Sequence, residues 1–365
     1  MGRRRPPSRD APNKRIREAA VVDSSPHGEI RIAGPRLIAI VGPFQSGKTS
    51  LLESLLARGG GVARQGGVRE GTSVGDSCNE ARAHQMSVEP NVAHVDYMGD
   101  RLTFIDCPGS VEFSHAARAV LPACDAAVVV CEADARKVQP LRMILRELEE
   151  LKIPRFLFLN KVDLAGGGVR EALEMLQPAS RTPLLLRQIP LWEKGVATGF
   201  VDLALERAFI YRESAPSEVV EIPAGADADE KRARYSMLER LADYDDELME
   251  QLLNDIEPPR DRVFDDLARE LREGHVAPLL MGSATQGHGV TRLLKALRHE
   301  APGVASTRAR LGVPADGPPL AEIVRTIHTA HGGKLSLARV LRGAFPDGAT
   351  VTSQSGTEAR IAGLQ

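Results

Sequence analysis

The chain has 365 residues, of which 42% are apolar and 26% charged, and its formal net charge is −2. This length allows two or three domains, and the near-neutral charge excludes a polycation, so any nucleic-acid contact requires a local basic patch. No apolar run approaches the roughly 20 residues of a membrane span. The four cysteines form no C-x-x-C pair, which argues against a zinc ribbon or a disulfide framework and favours reduced thiols in a cytoplasmic protein.

The N-terminal segment is rich in proline, arginine and serine, which predicts a disordered basic tail over residues 1–35. No apolar run follows its basic residues, so the tail is not a secretory signal. A solvated tail and an RNA-contacting arm both fit this sequence. The solvated tail is favoured because a charge run alone is weak evidence.

Beyond the tail, predicted strands alternate with predicted helices. Buried strands are predicted for the apolar runs LIAIVG, DAAVVVCEAD, PRFLFLNK and APLLMGSA, and a hairpin that turns at Gly99-Asp100 is predicted for NVAHVDYMGDRLTFID. Amphipathic helices are predicted for KTSLLESLLA, PLRMILRELEELK and GVTRLLKALRHE. The alternation predicts an α/β domain over residues 36–163 and 277–301, with a mostly parallel sheet and helices on both faces.

Two regions interrupt this alternation. Residues 164–276 are too many for one connection within a sheet, and they predict an inserted α+β subdomain. Within it we expect a strand followed by a helix in GFVDLALERAFIY, and one long helix in EKRARYSMLERLADYDDELMEQLLNDI. After a linker rich in proline and glycine at residues 302–318, the alternating pattern of residues 319–365 predicts the start of a β-barrel domain.

A phosphate-binding loop is predicted at GPFQSGKT, residues 42–49, which fits G-x-x-x-x-G-K-[ST] between a predicted strand and a predicted helix. The glycines let backbone N–H groups surround the β-phosphate, and the helix N-terminus adds a favourable dipole. Lys48 is expected to reach the β- and γ-phosphates, and the Thr49 hydroxyl to bind Mg²⁺. A chance Gly-rich turn is the alternative, and the strand and helix context disfavours it.

The motif DCPG follows the predicted strand that ends the hairpin. We expect Asp106 to hold Mg²⁺ through water and the Gly109 N–H to bind the γ-phosphate, so that hydrolysis releases the following segment. A strand-ending aspartate in an ordinary turn is the alternative when this motif is considered alone.

Two further motifs predict selectivity for guanine. In NKVD, the Asp163 carboxylate can accept both N1–H and the 2-amino group of guanine, and adenine does not offer this pair of donors. Asn160 is expected to bond the base and to connect parts of the site, and the stem of Lys161 to cover the base. The backbone of GSA, residues 282–284, can reach guanine O6. Because each motif ends a strand, all four are expected at one edge of the sheet.

With these motifs, the chain resembles the translational GTPases, specifically elongation factor G and its elongation factor G-like relatives. The segments VQP, GFVDLALERAFIY, ADYDDELMEQLL and HGGKLSLARVLRG also resemble parts of that family. The resemblance covers roughly residues 37–365. It implies a monomeric, cytoplasmic GTPase that uses GTP or GDP with Mg²⁺, binds the ribosome through rRNA and ribosomal proteins, contacts neither DNA nor membranes, and supports translocation in elongation.

The motifs and the resemblance together define the candidate site residues. The nucleotide-binding candidates are Gly42, Pro43, Phe44, Gln45, Ser46, Gly47, Lys48, Thr49, Ser50, Asp106, Cys107, Pro108, Gly109, Ser110, Asn160, Lys161, Val162, Asp163, Ser283 and Ala284. The metal-ligand candidates are Thr49, Ser87 and Asp106. The catalytic candidates are Lys48 and Ser110.

The chain departs from the family pattern at three of these positions. Gln45 replaces an acidic residue in the phosphate-binding loop, and Ser87 replaces the threonine that binds Mg²⁺ in the first switch. Ser110 stands where the family has a histidine that positions the attacking water, so slow hydrolysis is expected. Ser110 is instead expected to cap the helix that begins in VEFSHAARAV.

Several alternatives stay open at this point. The chain can be a GTP-binding switch with weak or lost hydrolysis that acts as a binding module, or a GTPase of the release-factor or ribosomal-protection type. A P-loop kinase or ATPase is disfavoured by NKVD. Full-length members of the family carry further domains, so a fragment or a truncated gene is expected.

Overall fold

The computed structural model describes residues 34–75, 79–84, 86–163, 168–212, 215–329 and 333–364. Residues 1–33 of the predicted tail therefore lie outside the described residues, as does Gln85 of the stretch HQMSV, residues 84–88, which corresponds to the first switch. Among the described residues, none of the helices combines the length and the apolar character needed to span a bilayer.

The described ranges contain fifteen strands and ten α-helices. The strands are β1 (Arg36–Val41), β2 (Asn91–Tyr97), β3 (Asp100–Asp106), β4 (Ala126–Cys131), β5 (Arg155–Leu159), β6 (Leu184–Leu186), β7 (Gln188–Glu193), β8 (Val196–Asp202), β9 (Arg207–Arg212), β10 (Ala215–Val220), β11 (Ala277–Met281), β12 (Leu320–Thr329), β13 (Gly333–Arg342), β14 (Thr350–Thr352) and β15 (Glu358–Arg360). The helices are α1 (Lys48–Gly59), α2 (Asn79–His84), α3 (Ser114–Val120), α4 (Val138–Glu150), α5 (Val169–Leu176), α6 (Asp227–Ala242), α7 (Asp246–Leu253), α8 (Arg260–Glu273), α9 (Val290–Glu300) and α10 (Val304–Arg310).

The central sheet of the described chain has seven strands in the order β2-β3-β1-β4-β5-β11-β6. Only β2 runs antiparallel to its neighbour β3, and the other adjacent strands of this sheet are parallel. The hairpin turns through Met98 and Gly99, which both have positive φ. The predicted mostly parallel sheet and its hairpin are therefore confirmed, although the turn lies one residue before the predicted Gly99-Asp100, since Asp100 is the first residue of β3.

Helices cover both faces of this sheet. Ile38 and Ile40 of β1 enter the core that contains the buried leucines of α1 and the buried face of α9. Leu37 and Ala39, which alternate with them, enter the opposite core with the leucines of α4. Because successive side chains of a strand point to opposite faces, a strand buried on both sides is apolar at every position, as in LIAIV.

The region predicted as an insert, residues 164–276, builds a four-stranded antiparallel sheet in the order β10-β9-β8-β7, together with α6, α7 and α8. Its short strand β6 differs from the rest because it pairs with β11 and extends the central sheet. The three leucines of β6 are all buried, which explains why this segment joins the larger core. The domain boundaries otherwise stay predictions.

Two details of the sequence-based prediction are wrong, and a third segment contains a helix that was not predicted. GFVDLALERAFIY forms the strands β8 and β9 and not a strand followed by a helix, because the Asp202 carboxylate accepts the N–H groups of Ala204 and Leu205 and fixes a turn. The predicted single long helix is divided into α6 and α7, since Asp245 accepts the Leu248 N–H and caps a new helix. The predicted linker at 302–318 contains α10.

The C-terminal region forms two antiparallel pairs, β12 with β13 and β14 with β15, in agreement with the start of a barrel-like domain. This region contacts the α/β domain through arginines. Arg339 pairs with the buried Asp125 at 2.7 Å, and Arg325 donates to the Pro90 carbonyl and to Glu89. The contacts of Arg325 lie two and three residues after Ser87 in the chain.

Candidate nucleotide-binding site

The loop between β1 and α1 has a backbone that only glycine can adopt at two positions. Gly42 has φ 154° and Gly47 has φ 93°. A Cβ atom at Gly42 would lie 2.3 Å from the Val130 carbonyl oxygen, and one at Gly47 would lie 2.3 Å from Nδ2 of Asn160. The glycines of the motif thus allow the loop to curl tightly over the ends of β4 and β5.

The side chain of Lys48 folds back over the phosphate-binding loop. Lys48 is 7% exposed, and its Nζ donates to the carbonyl oxygens of Gly42 at 3.1 Å and Pro43 at 3.0 Å. A Cβ atom at Gly109 would lie 2.1 Å from the same Nζ. The two groups predicted to hold the γ-phosphate are therefore adjacent, although the motifs that carry them are about 60 residues apart.

The three predicted metal ligands also converge. The Thr49 hydroxyl donates to the Asp106 carboxylate at 2.6 Å and lies 3.1 Å from the Ser87 hydroxyl. All three side chains are at most 9% exposed. Oxygen atoms alone form this cluster, and Mg²⁺ prefers oxygen ligands together with substrate phosphates, so the residues fit the predicted ion.

Asn160 connects two separate loops at the end of β5. Its Nδ2 donates to the Ser46 carbonyl at 2.8 Å, and its Oδ1 accepts the Ala284 N–H at 2.9 Å. The residue is 4% exposed, so both hydrogen bonds are shielded from water. This side chain holds the phosphate-binding loop against the loop that follows β11.

Asp163 and Lys161 face the cavity beside Asn160. Oδ1 of Asp163 is buried and has no hydrogen-bond partner among the described residues. Nζ of Lys161 lies 3.0 Å from the Gln45 carbonyl and 3.0 Å from Glu132, so its stem lines the cavity wall. An unpartnered carboxylate oxygen at this position can accept one of the donors of a guanine base.

These groups surround a cavity of about 1550 Å³. The predicted residues that line it are Phe44, Gln45, Gly47, Lys48, Thr49, Ser50, Ser87, Gly109, Asn160, Lys161 and Asp163. Gly42, Pro43 and Ser46 contribute carbonyl oxygens that accept from Lys48 and Asn160. The structure therefore brings the predicted motifs to one site.

Part of the cavity wall had no sequence motif. Residues 63–70 and Thr72 line the cavity, and the buried Glu53 of α1 holds this segment by accepting the N–H groups of Gly66 and Val74. Gln65 donates to the Ala284 carbonyl at 3.0 Å and closes the wall against the loop after β11. Glu53 lies within the apolar stripe of α1, and a glutamate at such a position is the sequence feature that could have predicted this contact.

Other predicted residues lie behind the cavity. Cys107 and Val162 belong to the apolar core, and burial raises the pKa of the Cys107 thiol well above its usual value. Ser283 is buried and pairs with His288 through the backbone. Pro108 is buried as well. These residues shape the site through their backbone.

The capping role predicted for Ser110 is wrong. A single 3₁₀ turn intervenes before α3, and Phe113 occupies the N-cap of that helix. The Ser110 hydroxyl donates to the Glu112 carboxylate at 3.3 Å. Ser110 is also absent from the described lining of the cavity.

Comparison with known proteins agrees with this geometry. The family model of the elongation factor Tu GTP binding domain matches residues 34–303. An elongation factor G-like protein of Synechocystis sp. is 40% identical over 321 residues, which cover 87% of this chain and 48% of that protein. One of Mycobacterium tuberculosis is 29% identical over 333 residues, which cover 87% of this chain and 46% of that protein.

A solved structure supports the same assignment. A crystal structure of a protein from Thermus thermophilus matches with a TM-score of 0.78 at 29% identity, and the match covers 90% of this chain and 48% of that chain. The chain thus spans about half the length of the relatives it matches. Because the family model matches most of its residues, the chain belongs to the translational GTPases, with a GTP-binding domain of the elongation factor Tu family that is similar to elongation factor G-like proteins.

Proposed function

We propose that the cavity binds GTP and GDP with Mg²⁺, and that the chain hydrolyses GTP as part of a ribosome-associated translational GTPase that supports translocation in elongation. The observation that carries the nucleotide assignment is the buried, unpartnered Oδ1 of Asp163, which lies beside the connected pair of loops that Asn160 holds together. A guanine base offers N1–H to one oxygen of this carboxylate and its 2-amino group to the other, so Oδ1 gains a donor. The family match supports guanine nucleotide binding, and the elongation factor G-like relatives support the ribosomal role.

Each residue group has a defined task in this proposal. Lys48 neutralises the β- and γ-phosphates, and the Gly109 N–H binds the γ-phosphate that leaves on hydrolysis. Thr49, Ser87 and Asp106 would hold Mg²⁺, which when bound neutralises the charge that develops on the phosphates. Loss of the γ-phosphate releases the segment after Gly109 and gives the two states of a switch.

A second candidate function is a guanine-nucleotide switch with weak hydrolysis. The observation that favours it is the orientation of Ser110, whose hydroxyl donates to Glu112 and does not line the described cavity. Phosphoryl transfer depends on positioning the attacking water. A serine has no imidazole for that task, and Ser110 does not line the described cavity. Under this alternative the chain acts by binding and not by turnover.

The cellular setting rests on the resemblance. We propose a cytoplasmic monomer whose ribosomal partners are rRNA and ribosomal proteins, without membrane or DNA contacts. Gradient sedimentation of the protein with purified ribosomes in the presence of a nonhydrolysable GTP analogue tests this proposal. Equal sedimentation with the analogue and with ADP would contradict a nucleotide-dependent ribosomal role.

Nucleotide competition tests the proposed specificity. Fluorescent GDP bound to the wild-type protein should be displaced by GTP and GDP but not by ATP. Asp163→Asn should lose most of its affinity for GTP and gain affinity for xanthine nucleotide, whose 2-oxo group pairs with the amide donor. Displacement by ATP and GTP at equal concentrations would refute guanine selectivity.

A further inference from the structure

The loop that follows β11 is closed by His288, which lies two residues before α9. Ser283 and His288 exchange two backbone hydrogen bonds, from Ser283 N–H to the His288 carbonyl at 3.1 Å and from His288 N–H to the Ser283 carbonyl at 3.0 Å. Between them lies Ala284, whose N–H is held by Asn160. The position of His288 therefore sets the shape of the loop whose backbone, at residues 282–284, is expected to reach guanine O6.

A tyrosine from the inserted subdomain packs against this closing residue. The ring of Tyr211, at the end of β9, lies parallel to the His288 imidazole with 4.2 Å between centroids and 1° between planes. This is a stacked contact between two separate parts of the fold. It is the point where the antiparallel sheet of the insert meets the loop after β11.

The insert holds this tyrosine on a rigid support. Tyr211 packs against Phe200 of β8 with 5.8 Å between ring centroids, and Phe200 is 1% exposed. The strands approach closely here, since a Cβ atom at Gly199 would lie 2.2 Å from the Phe209 carbonyl oxygen. A ring supported in this way has little freedom to follow a displaced loop.

Both stacked rings are uncharged at neutral pH. Burial lowers the pKa of His288, and Arg58 lowers it further, which outweighs the opposite effect of Asp163. Burial raises the pKa of Tyr211, and the negative charge of Asp163 adds to this rise. The hydroxyl of Tyr211 has no hydrogen-bond partner within the described ranges. The aromatic ring, and not a hydrogen bond of the hydroxyl, therefore carries the contact.

We propose that Tyr211 is a positioning residue for guanine recognition, which fixes the loop at residues 283–288 through its stack with His288 and so couples the inserted subdomain to base affinity. The proposal rests on the proposed guanine-nucleotide function of the cavity. Aromatic stacks are worth about 0.5–1.5 kcal/mol beyond the area they bury, and 1.4 kcal/mol corresponds to a tenfold change in affinity. Loss of the stack should therefore raise the dissociation constant for GDP by about 2- to 12-fold.

The test is equilibrium titration with fluorescent GDP, followed by competition with unlabelled GDP and ADP. Tyr211→Leu should weaken GDP by the stated factor and reduce the preference for GDP over ADP. Tyr211→Phe, which keeps the ring, should stay within about twofold of the wild type. Tyr244→Leu is the matched control, because it removes another tyrosine–histidine stack, with His275 at 4.4 Å between ring centroids, that involves neither Phe200 nor His288.

A double-mutant cycle separates positioning from general destabilisation. His288→Leu removes the same stack by changing its other ring. The dissociation constant of the double variant for GDP should therefore rise by less than the product of the two single fold-changes. Partial unfolding would weaken GDP and ADP by the same factor and leave their ratio unchanged. Independent losses in the cycle, or an unchanged ratio in Tyr211→Leu, would overturn the proposal.

The same titrations identify a failure of the underlying function. If the wild-type protein does not bind fluorescent GDP, the proposed nucleotide function is wrong and the positioning role falls with it. If the wild-type protein binds GDP, Lys48→Ala abolishes binding and Tyr211→Leu has no effect, only the role of Tyr211 is wrong.

Discussion

Replacing Asn160 with alanine should separate the two loops that build the site. The change removes the hydrogen bond that Asn160 donates to the Ser46 carbonyl and the one that it accepts from the Ala284 N–H. Asn160 is only 4% exposed, so the carbonyl and the N–H both lose a partner at a buried position. A buried group that loses its partner costs about 1–3 kcal/mol. For two groups, with some recovery by water, we expect a loss of about 2–4 kcal/mol.

This loss should divide between folding and binding. If the loops keep their positions without nucleotide, it appears in the free energy of unfolding of the free protein. If the loops separate, nucleotide must bring them together again, and the loss appears as a GDP affinity that is weaker by roughly 30- to 1,000-fold at the limit. The sum of the two changes is therefore the quantity to compare.

Urea denaturation of the free protein and fluorescent GDP titration measure the two parts. Asn254→Ala is the matched control, because its Nδ2 donates to the Glu250 carbonyl at 2.8 Å on an exposed helix end. The control should change stability by no more than about 0.5 kcal/mol. If Asn160→Ala also stays within that limit in both assays, the connecting role of Asn160 is wrong.

Three further changes test other parts of the site and fold. Lys48→Ala should abolish GTP binding, because the phosphates lose their main cation, and unchanged affinity would contradict the phosphate-loop assignment. Ser110→His should raise single-turnover GTP hydrolysis with ribosomes, where a positioning group can be worth on the order of 10³–10⁵ in rate, and equal rates would show that another group already serves. Burial raises the pKa of Asp245, but hydrogen bonds from Leu248 N–H and Arg262 outweigh it and lower the pKa to about 2. Its stabilisation is thus full above pH about 4 and lost as pH falls through about 2, so Asp245→Asn should destabilise much more at pH 7 than at pH 2, and an equal loss at both pH values would refute this origin.

The sequence predicted the central domain well because its signals are local. Three of the four nucleotide motifs follow a strand that is buried at every position, and parallel strands bring their carboxyl ends to one edge. The hairpin was also predictable, since Gly99 supplies a positive φ that its turn requires. The positions of these strands therefore determine the approximate positions of the site residues.

The missed features depend on residues far apart in the chain. Leu203, Ala204 and Leu205 favour a helix on propensity, but Asp202 turns the chain there and pairs with the buried Arg292 of α9, 90 residues away. The cavity wall at residues 63–72 depends likewise on the buried carboxylate of Glu53. Neither partner is visible in a local pattern.

The pairing of β5 with β11 affects how this fold tolerates change. Leu157 lies opposite Leu279, and roughly 120 residues separate the two strands, yet loop-closure entropy rises only with the logarithm of loop length, by about 0.6 kcal/mol for each doubling. The intervening subdomain can therefore lengthen or shorten with little change in the equilibrium stability of the nucleotide site. The consequence is kinetic, because contacts between distant segments slow folding. The edge of the sheet that carries Asn160 and Ala284 should thus complete its structure late, after the strands β1, β3 and β4 have associated.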